Sequence, residues 1–339
     1  MWFETLTGFR ELNPDQVRAN LSVAGDRLKS AVNGQSHGCG RLELPSLAEL
    51  RDLPTTTGNG PVVLREVIAD VQKLHRDPAN AGALFQAASQ FNLLEMVSPN
   101  VTPEAGVGRY EQDRTQGPAC AVACGAGTIF RNYFVPIGDR VGQTADRQID
   151  CLADVGAALG NRDGNRDGSL WAMRNGYALL TDHGLNTLGP RLAQTDPGEL
   201  DALRGRLRIG AHYDVEVTVD EAGHRVTQVY GSALPVAYGR GDPAQWADFA
   251  RLVLEASYEA TLRVAMLNAA RTGNRRVFLT LLGGGVFGNE ETWILAAIAR
   301  ALAIVGQADL DVAIVSYGRS QRGVCDLVAS WGAGSDDYT

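Results

Sequence analysis

The feature that most constrains the fold is a strongly patterned stretch in the last quarter of the chain. Residues 276–282 are mainly apolar, and the six residues Gly283 to Gly288 include four glycines. Residues 290–305 then have the length and apolar spacing of a helix, and residues 310–316 form a second apolar strand. Strand, glycine turn, helix and strand in this order indicate a βαβ unit, which places two parallel strands in one sheet.

Earlier segments extend this pattern into a larger α/β fold. Residues 62–68 and 83–88 are apolar runs of strand length, and Pro243 opens a helix of about 28 residues that ends near Gly273. The sequence predicts an α/β protein with a parallel or mixed central sheet. Small residues in 117–134 suit a closely packed helix or strand, and alternating apolar residues in three further segments predict more sheet strands: 172–180, 207–218 and 224–238.

The pattern of the first sixty residues differs from the rest. It contains a short helical pattern around Asp15 to Ala19 and a Gly- and Ser-rich stretch from Asn33 to Gly40. We therefore expect residues 1–60 to be an N-terminal extension packed on a core formed by 61–330, with an insertion around 160–205.

Composition excludes several classes of protein. A formal net charge of -8 argues against a general nucleic-acid binder, which needs a dense basic surface. No stretch approaches the roughly 18 apolar residues of a membrane span, and the N-terminal residues do not resemble a secretory leader. We expect a cytoplasmic protein without a membrane partner. Five cysteines, an odd number, fit free thiols in a reducing compartment.

Neither a metal nor a cofactor is expected. Cys120 and Cys124 have no zinc-ligand spacing and are expected to be buried. The pattern from Asp163 to Gly168 matches the first half of an EF-hand loop, but its twelfth position is Arg174 rather than Glu. The five histidines are scattered, which does not indicate a serine or cysteine hydrolase.

The glycine-rich turn is a candidate anion site. Backbone N–H groups at a helix N-terminus bind phosphates, and glycines permit their close approach, so a diphosphate is the expected ligand. The same residues match G-x-G-x-x-G, with Asp309 and Asp311 about twenty residues on, as in a nicotinamide-binding Rossmann unit. Only some fifty residues follow, whereas that fold needs further βαβ units. A tight turn without a ligand remains an alternative.

A second candidate region follows the apolar strand that ends near residue 88. Residues 90–118 lack hydrophobic periodicity and are rich in amides, glycines and acids, as a ligand-lining loop would be. Breaking a glycosidic bond uses carboxylates to stabilise an oxocarbenium-like state, activate water and protonate the leaving group. The candidate acids are Glu95, Glu104, Glu111 and Asp113; the alternative is that each is a solvated loop residue.

The order of these segments, over roughly residues 60–320, resembles the macrodomain family of ADP-ribose binders and hydrolases. Ala69-Asp70-Val71 is similar to the family's Gly-Asp-Ile step, which implies adenine recognition by Asp70. Gln86 to Ser89 is similar to its Asn-Ala-Ala-Asn strand. Gly283 to Gly288 resembles its second phosphate loop, with Phe287 as the aromatic near the distal ribose. The resemblance implies a three-layer α/β/α fold.

The sequence departs from the usual macrodomain pattern at two places, and these departures favour one divergent group. The family's first phosphate loop, a Gly-Gly-Gly-Val run, is replaced by residues 98–117, and the Gln-Glu-Glu motif of poly(ADP-ribose) glycohydrolases is missing. The loop is more similar to a divergent glycohydrolase-like group, typified by a bacterial effector that removes ADP-ribose from an arginine of ubiquitin. That group uses acidic residues for catalysis.

This resemblance implies roles for individual residues. Asp113 and Glu104 are the expected catalytic acids. Glu95, also a catalytic candidate, and Asn92 are expected to position the ribose hydroxyls. Glu111 is expected to receive the guanidinium of an arginine leaving group. The other expected ligand contacts are Tyr110, Thr115, Gln116, Gly117, Gly283, Gly284, Gly285, Val286, Phe287, Gly288 and Asn289.

Three functions follow from these patterns. The leading hypothesis is an ADP-ribosylhydrolase that removes ADP-ribose from a protein side chain, with arginine as the expected linkage and ubiquitin as a candidate carrier. A non-catalytic ADP-ribose reader would use Asp70 and the glycine loop but not the acids. A nicotinamide-dependent oxidoreductase would rest on the glycine loop alone.

Overall fold

A computed structural model describes residues 1–54, 58, 60–161 and 168–335. The strands are β1 (Leu21–Ala24), β2 (Arg27–Ser30), β3 (Ser36–Gly38), β4 (Arg41–Glu43), β5 (Val63–Ile68), β6 (Leu84–Ala88), β7 (Pro136–Ile137), β8 (Arg140–Val141), β9 (Trp171–Arg174), β10 (Tyr177–Leu180), β11 (Gly210–Glu216), β12 (Arg225–Gly231), β13 (Arg276–Leu279) and β14 (Asp311–Ser316). The α-helices are α1 (Trp2–Thr7), α2 (Pro14–Asn20), α3 (Leu47–Asp52), α4 (Val71–Arg76), α5 (Gln116–Ala123), α6 (Gly125–Tyr133), α7 (Ala153–Leu159), α8 (Asp182–Ala193), α9 (Pro197–Gly205), α10 (Ala247–Thr272), α11 (Glu291–Ile304) and α12 (Arg322–Ser335).

Seven strands form a mixed central sheet in the order β4-β11-β12-β6-β13-β14-β5. The five strands from β12 to β5 are parallel, whereas β11 runs antiparallel to β12 and β4 antiparallel to β11. Helices α4, α5 and α6 pack in one layer, and α3, α8, α9 and α11 pack around α10 in another. The predicted α/β class with a mixed central sheet is confirmed.

The central strand β6 is buried on both of its faces, one against α4 and the other against α10. The Phe85 ring stacks 3.8 Å from the His75 ring of α4, while the Gln86 amide donates to the Thr261 hydroxyl of α10 at 2.9 Å. Successive side chains of a strand point to opposite faces, so a strand between two helical layers must be apolar or internally paired on both. This accounts for the continuous apolar run around residues 83–88.

The βαβ unit predicted near the end of the chain is present. Strands β13 and β14 are parallel neighbours, with Val277 opposite Val312, and α11 connects them. The first strand ends at Leu279, three residues earlier than predicted, so that residues 280–282 leave the ladder. These three residues instead line a cleft at the carboxyl end of the sheet.

The long helix also has the predicted end signals. Asp242 caps a 3₁₀ turn, Pro243–Trp246, that leads directly into α10. The helix ends at Thr272, and the next residue, Gly273, has a φ of 77°, the left-handed conformation that glycine adopts without steric cost. Proline at the start and glycine just past the end thus mark this helix in both sequence and structure.

Residues 172–180 contain strands, as predicted, but these strands do not belong to the central sheet. Strands β9 and β10 form a separate two-stranded hairpin, whose turn is Asn175-Gly176 with φ of 47° and 80°. Asn-Gly is the pair favoured in tight hairpin turns with positive φ, so the alternation was genuine but its partner strand was local. Residues 117–134 form helices α5 and α6.

The N-terminal residues build a second hydrophobic core beside the main one. Phe3, Leu6 and Val17 pack in a cluster that also contains Leu94 and Met96, which lie just after β6 in the chain. Strand β4 pairs with β11 and so forms an edge of the central sheet. The first segment of the chain therefore contacts the loop that follows the central strand.

Four cysteines are buried and Cys325 is exposed, and all five are free thiols. Among the described residues, no group of three or more His, Cys, Asp or Glu side chains is placed to hold a metal ion. The half EF-hand pattern falls mostly on residues 162–167, outside the described residues. Within the described part of the chain, no helix has the length and apolar character that a bilayer span requires.

Candidate active site

A cleft of about 190 Å³ opens at the carboxyl ends of β6, β12 and β13. Ligands of α/β proteins bind at this edge, because loops from neighbouring parallel strands meet there. The cleft is smaller than the roughly 300–1,000 Å³ of pockets that surround a whole ligand. It can therefore enclose only part of a large ligand, with the remainder lying on the open sheet edge.

Glu95 lines one wall of this cleft and is its most unusual residue. It is 2% exposed, and neither carboxyl oxygen has a hydrogen-bond partner among the described residues. Burial raises the pKa of Glu95 to about 8, although the Arg131 guanidinium lies 3.6 Å from Oε2 and opposes the shift. A buried carboxyl group of this kind keeps its proton at neutral pH and can donate it.

Arg131 fixes the backbone just before Glu95. Its Nε donates to the Leu93 carbonyl at 3.1 Å, and its guanidinium stacks 3.7 Å from the centre of the Tyr230 ring. Leu93 has a φ of 63°, a conformation that costs a bulky residue free energy. It persists only where the surrounding contacts impose it. Burial opposes the charge on Arg131, but Tyr230 and Glu95 raise its pKa, so it remains a cation.

Asp113 is the second acid of the cleft and lies at its rim. Its Oδ1 accepts hydrogen bonds from the Thr115 backbone N–H at 2.9 Å and from the Thr115 hydroxyl at 2.7 Å. It directly follows a 3₁₀ helix, Gly108–Gln112, and is only partly buried. Glu95 is thus a desolvated acid and Asp113 a hydrated one, the division that acid–base catalysis by two carboxyl groups requires.

The glycine loop forms the opposite wall. Among the described residues, the backbone N–H groups of Gly285, Val286 and Phe287 make no hydrogen bond to another backbone group. A Cβ at Gly285 would meet no atom within 4 Å, so the backbone there is open to the cleft. A Cβ at Gly283 would instead lie 2.5 Å from the Ala233 Cβ, at a φ of 73°. Gly285 therefore leaves the loop backbone accessible to a ligand, whereas Gly283 is required for the shape of the turn.

The helix after this loop begins within one residue of its predicted start at Glu290. Helix α11 starts at Glu291, three residues past Gly288, and Glu290 is its N-cap residue. Two carboxylates at a helix N-terminus compete with a bound anion for the positive end of the dipole. The donors that remain for an anion are the loop N–H groups themselves.

The acids expected for a Rossmann unit lie at the wrong edge of the sheet. Asp311 is the first residue of β14 and pairs with Arg65, and Asp309 pairs with Arg275. The glycine loop follows the last residue of β13, which is parallel to β14. Because the acids are at the amino ends of the strands and the loop is at the carboxyl ends, they cannot bind the ribose of a dinucleotide held by that loop.

Three aromatic rings form one side of the cleft. The centres of the Tyr177 and Phe287 rings are 5.3 Å apart, as are those of Tyr177 and Tyr238. The Tyr177 hydroxyl donates to the Met96 carbonyl at 2.6 Å, which ties the hairpin β9–β10 to the residue after Glu95. Sequence reasoning identified Phe287 but missed the two tyrosines, because neither lies in a recognisable motif.

Nine of the predicted site residues line the cleft together. Gln116 is among them, but its amide is fully engaged: it bridges β6 by accepting from the Ala88 N–H and donating to the Gln86 carbonyl. Gly117 allows α5 to approach the strand, since a Cβ there would lie 1.9 Å from the Ala88 carbonyl oxygen. The nine are Glu95, Asp113, Thr115, Gln116, Gly117, Gly283, Gly285, Val286 and Phe287.

Two predicted acids lie outside the cleft lining. Glu104 accepts a hydrogen bond from the Ala145 backbone N–H at 2.8 Å. Glu111 is exposed and accepts one from the Trp2 backbone N–H at 3.1 Å. Both carboxylates therefore hold neighbouring loops together.

Other predicted ligand contacts support the cleft from behind. The Asn92 amide donates to Gln148, and its oxygen accepts from the Leu94 N–H. The Tyr110 hydroxyl accepts from the Glu95 N–H at 3.0 Å. Asn289 is buried and donates to the Leu234 carbonyl at 2.8 Å. Gly284 and Gly288 lie in the loop without facing the cleft.

Asp70 lies on the same sheet edge but two strands away from the loop. It caps α4 by accepting from the Gln72 N–H at 2.8 Å. The neighbouring Ala69 N–H donates to the Ser316 carbonyl at 3.1 Å, so Tyr317, the residue that follows β14, lies next to the Ala69-Asp70 step. The Tyr317 side chain is 74% exposed. An acid and an exposed ring thus flank the open part of the edge.

No protein-family model and no curated protein matches this chain. Among solved structures it is similar to poly(ADP-ribose) glycohydrolase from Thermomonospora curvata, at 13% identity, a TM-score of 0.45 and coverage of 94% of this chain and 95% of that chain. For the complex of that enzyme with the inhibitor ADP-HPD, the identity is 14%, the TM-score is 0.43, and the match covers 94% of this chain and 95% of that chain. For poly(ADP-ribose) glycohydrolase from Deinococcus radiodurans in complex with ADP-ribose, the identity is 12%, the TM-score is 0.42, and the match covers 87% of this chain and 94% of that chain. Likenesses this distant carry no argument, so function is inferred from the site.

Proposed function

We propose that this protein is an ADP-ribosylhydrolase that cleaves the bond between ADP-ribose and a protein side chain. The observation that carries the proposal is Glu95, a buried carboxyl group whose oxygens make no hydrogen bond to the described residues and whose charged neighbour is Arg131 at 3.6 Å. It faces a cleft whose opposite wall is a loop of free N–H groups. Desolvating an acid without hydrogen-bonding it costs stability, and such groups cluster at catalytic sites. A ligand is the natural partner for both walls.

The layout of the cleft orients the ligand. The diphosphate accepts from the N–H groups of Gly285, Val286 and Phe287, and the distal ribose lies between Phe287 and Glu95. The adenosine end extends along the open sheet edge towards Asp70 and Tyr317. Asp70 lies two strands from β13, a distance of roughly 10 Å at the usual spacing between strands. This is a span that an extended diphosphate and ribose can bridge.

The two acids divide the reaction between them. As the bond from the ribose C1 to the leaving atom breaks, its electron pair goes to that atom, which takes the proton of Glu95. Water adds to the ribose carbon and gives a proton to the Asp113 carboxylate. Exchange with solvent then restores both acids. The Phe287 and Tyr177 rings exclude water from the acid side, which strengthens electrostatic interactions there.

The cleft favours a basic leaving group. Two acids line it, and no lysine or arginine does so among the described residues. A guanidinium would be attracted to the Asp113 carboxylate at the rim, whereas a leaving carboxylate would be repelled. We therefore propose arginine as the linked residue. Its guanidinium is attracted to the Asp113 carboxylate before the reaction, a role that Glu111 does not fill because it lies outside the cleft lining. A protein carrier such as ubiquitin stays an expectation from the resemblance.

Hydrolysis of two matched substrates tests the proposal. The protein should release ADP-ribose from an arginine-linked protein and much more slowly from a glutamate-linked one. Asp113→Ala should lose turnover while its affinity for free ADP-ribose, measured by calorimetry, stays within about tenfold, or ~1.4 kcal/mol. Tight ADP-ribose binding without release from either substrate would instead identify a reader. Tight NAD binding with weak ADP-ribose binding would contradict the proposal altogether.

A further inference from the structure

The loop between β6 and α5, which carries both acids of the cleft, is held by a carboxylate from the N-terminal segment. Glu11 accepts from the Val107 N–H at 3.0 Å, the Gly108 N–H at 2.6 Å and the Tyr133 hydroxyl at 2.6 Å. Three donors on one carboxylate, two of them backbone groups, make a strong and directional contact. Glu11 lies about a hundred residues before the backbone that it binds.

The loop is shaped to receive this carboxylate. A Cβ at Gly106 would lie 2.5 Å from the Glu11 Oε2, and a Cβ at Gly108 would lie 2.8 Å from it. Gly106 also has a φ of 85°. Any larger residue at either position would displace the carboxylate, so the glycines at 106 and 108 form its binding site.

Both acids are connected to this contact through one short helix. Gly108 begins the 3₁₀ helix Gly108–Gln112, and the Asp113 N–H at its end donates to the Tyr110 carbonyl at 3.1 Å. The Tyr110 hydroxyl, on the same turn, accepts from the Glu95 N–H at 3.0 Å. A shift of this helix would move Asp113 directly and would release the backbone of Glu95.

We infer that Glu11 is a positioning residue, which holds Glu95 and Asp113 in register across the cleft through the helix Gly108–Gln112. This inference rests on the proposed function for its catalytic readout, but the contact itself is independent of any substrate. Its direct physical consequence is the exclusion of water from Glu95, because Tyr110, which accepts from the Glu95 N–H, belongs to the second hydrophobic core together with Leu94 and Met96.

The charged and titratable groups around Glu95 determine how the pKa of Glu95 should respond to a substitution at Glu11. Arg131 of α6, Tyr110, Tyr230 of β12 and Cys120 of α5 face it. Substitution of Glu11 leaves all four residues in the chain; it removes a negative charge that contributes to the raised pKa of Tyr110, but Glu11 is not among the groups that shift the pKa of Glu95. A change in the pKa of Glu95 would therefore report water entering around it, and water lowers the pKa of a buried carboxyl group towards its ordinary value.

The experiment compares Glu11→Gln with Glu4→Gln, a matched control at an exposed acid of the same segment. Misplacing reacting groups by about 1 Å costs on the order of a hundredfold in rate, so we expect Glu11→Gln to lower kcat by about that factor. Its KM should stay within about threefold, because the glycine loop still binds the diphosphate. The alkaline limb of its pH–rate profile should move to lower pH. Glu4→Gln should behave as the parent.

Tyr133→Phe removes only one of the three donors and provides a milder variant if Glu11→Gln fails to fold. It should show a smaller fall in kcat and a smaller movement of the alkaline limb in the same direction. Parental kcat and an unmoved limb in folded Glu11→Gln, or in Tyr133→Phe where the first variant does not fold, would overturn the inference.

A readout without substrate separates this inference from the proposed function. If the parent hydrolyses nothing, the proposed function fails, and the pH dependence of unfolding by urea then tests Glu11 alone. Stability of the parent should fall as pH rises towards 8, because folded Glu95 keeps a proton that the unfolded chain releases. Glu11→Gln should flatten this dependence. An unchanged dependence would show that Glu11 does not control the surroundings of Glu95.

Discussion

The two walls of the cleft are built in opposite ways. On the acid side, Glu95 is buried among side chains that come from α6, β12 and the 3₁₀ helix Gly108–Gln112, and its backbone is fixed by Tyr110 and Arg131. On the glycine side, residues 284–286 are exposed, and the chemical groups offered to a ligand are backbone N–H groups. One wall depends on packing and the other on the lack of side chains.

This difference assigns the two walls different tasks. A desolvated acid acts on charge that develops during the reaction, so its loss should lower the rate more than the affinity. Backbone donors on an open loop contact the ligand equally in the bound and reacting states, so their loss should lower affinity first. A variant on one wall that lowers the rate and the affinity by the same factor would contradict this assignment of tasks.

The largest effect is expected at the acid wall. Glu95→Gln keeps the shape of the side chain but cannot give up a proton, and general acid catalysis contributes roughly 10²–10⁴-fold. Turnover of an arginine-linked substrate should fall by about that factor, while ADP-ribose affinity measured by calorimetry should stay close to parental. Glu104→Gln, the matched change at an acid outside the cleft lining, should retain most activity. The opposite ranking would restore Glu104 as the catalytic acid.

A smaller effect, on binding, is expected at the glycine wall. Gly285→Val places a branched side chain over the loop N–H groups and should weaken ADP-ribose binding by at least about tenfold, or ~1.4 kcal/mol. Folding should be unchanged, because the new Cβ meets no atom within 4 Å. Gly306→Val is the control, since a Cβ there would approach no atom closer than 3.7 Å and it lies away from the cleft. Parental affinity in Gly285→Val would place the diphosphate elsewhere.

Much of the fold could be predicted because its signals are local. The βαβ unit and the long helix have apolar periods and end residues, such as Pro243 and Gly273, that act through the backbone of their own segment. The hairpin β9–β10 carries a local signal as well. Asn175-Gly176 between two alternating runs is typical of a hairpin whose strands pair with each other, and our prediction of sheet strands over 172–180 did not use this turn.

The candidate site could be predicted only in part. The glycine loop was visible because glycine acts through its own backbone. The acids of the loop 90–118 look alike in sequence, and their difference arises from contacts over long separations: Glu95 is buried against Arg131, whereas Glu104 binds the Ala145 backbone. One sequence signal for this contact was available, because Arg131 is a charged residue within the small and apolar run 117–134. A buried cation there implies a buried acid nearby.

The central claim is that Glu95 holds a proton in the folded protein at neutral pH. Its folded pKa of about 8 lies above its ordinary value of 4.5, so the parent should lose stability as pH rises between those values, whereas Glu95→Gln should not. The most direct measurement is the free energy of unfolding by urea, for both proteins, from about pH 5 to about pH 8. The advantage of Glu95→Gln over the parent should grow with pH, by up to about 1.4 kcal/mol per pH unit. A difference that stays constant across this range would show that Glu95 is ionised or solvated in the folded state and would contradict the account.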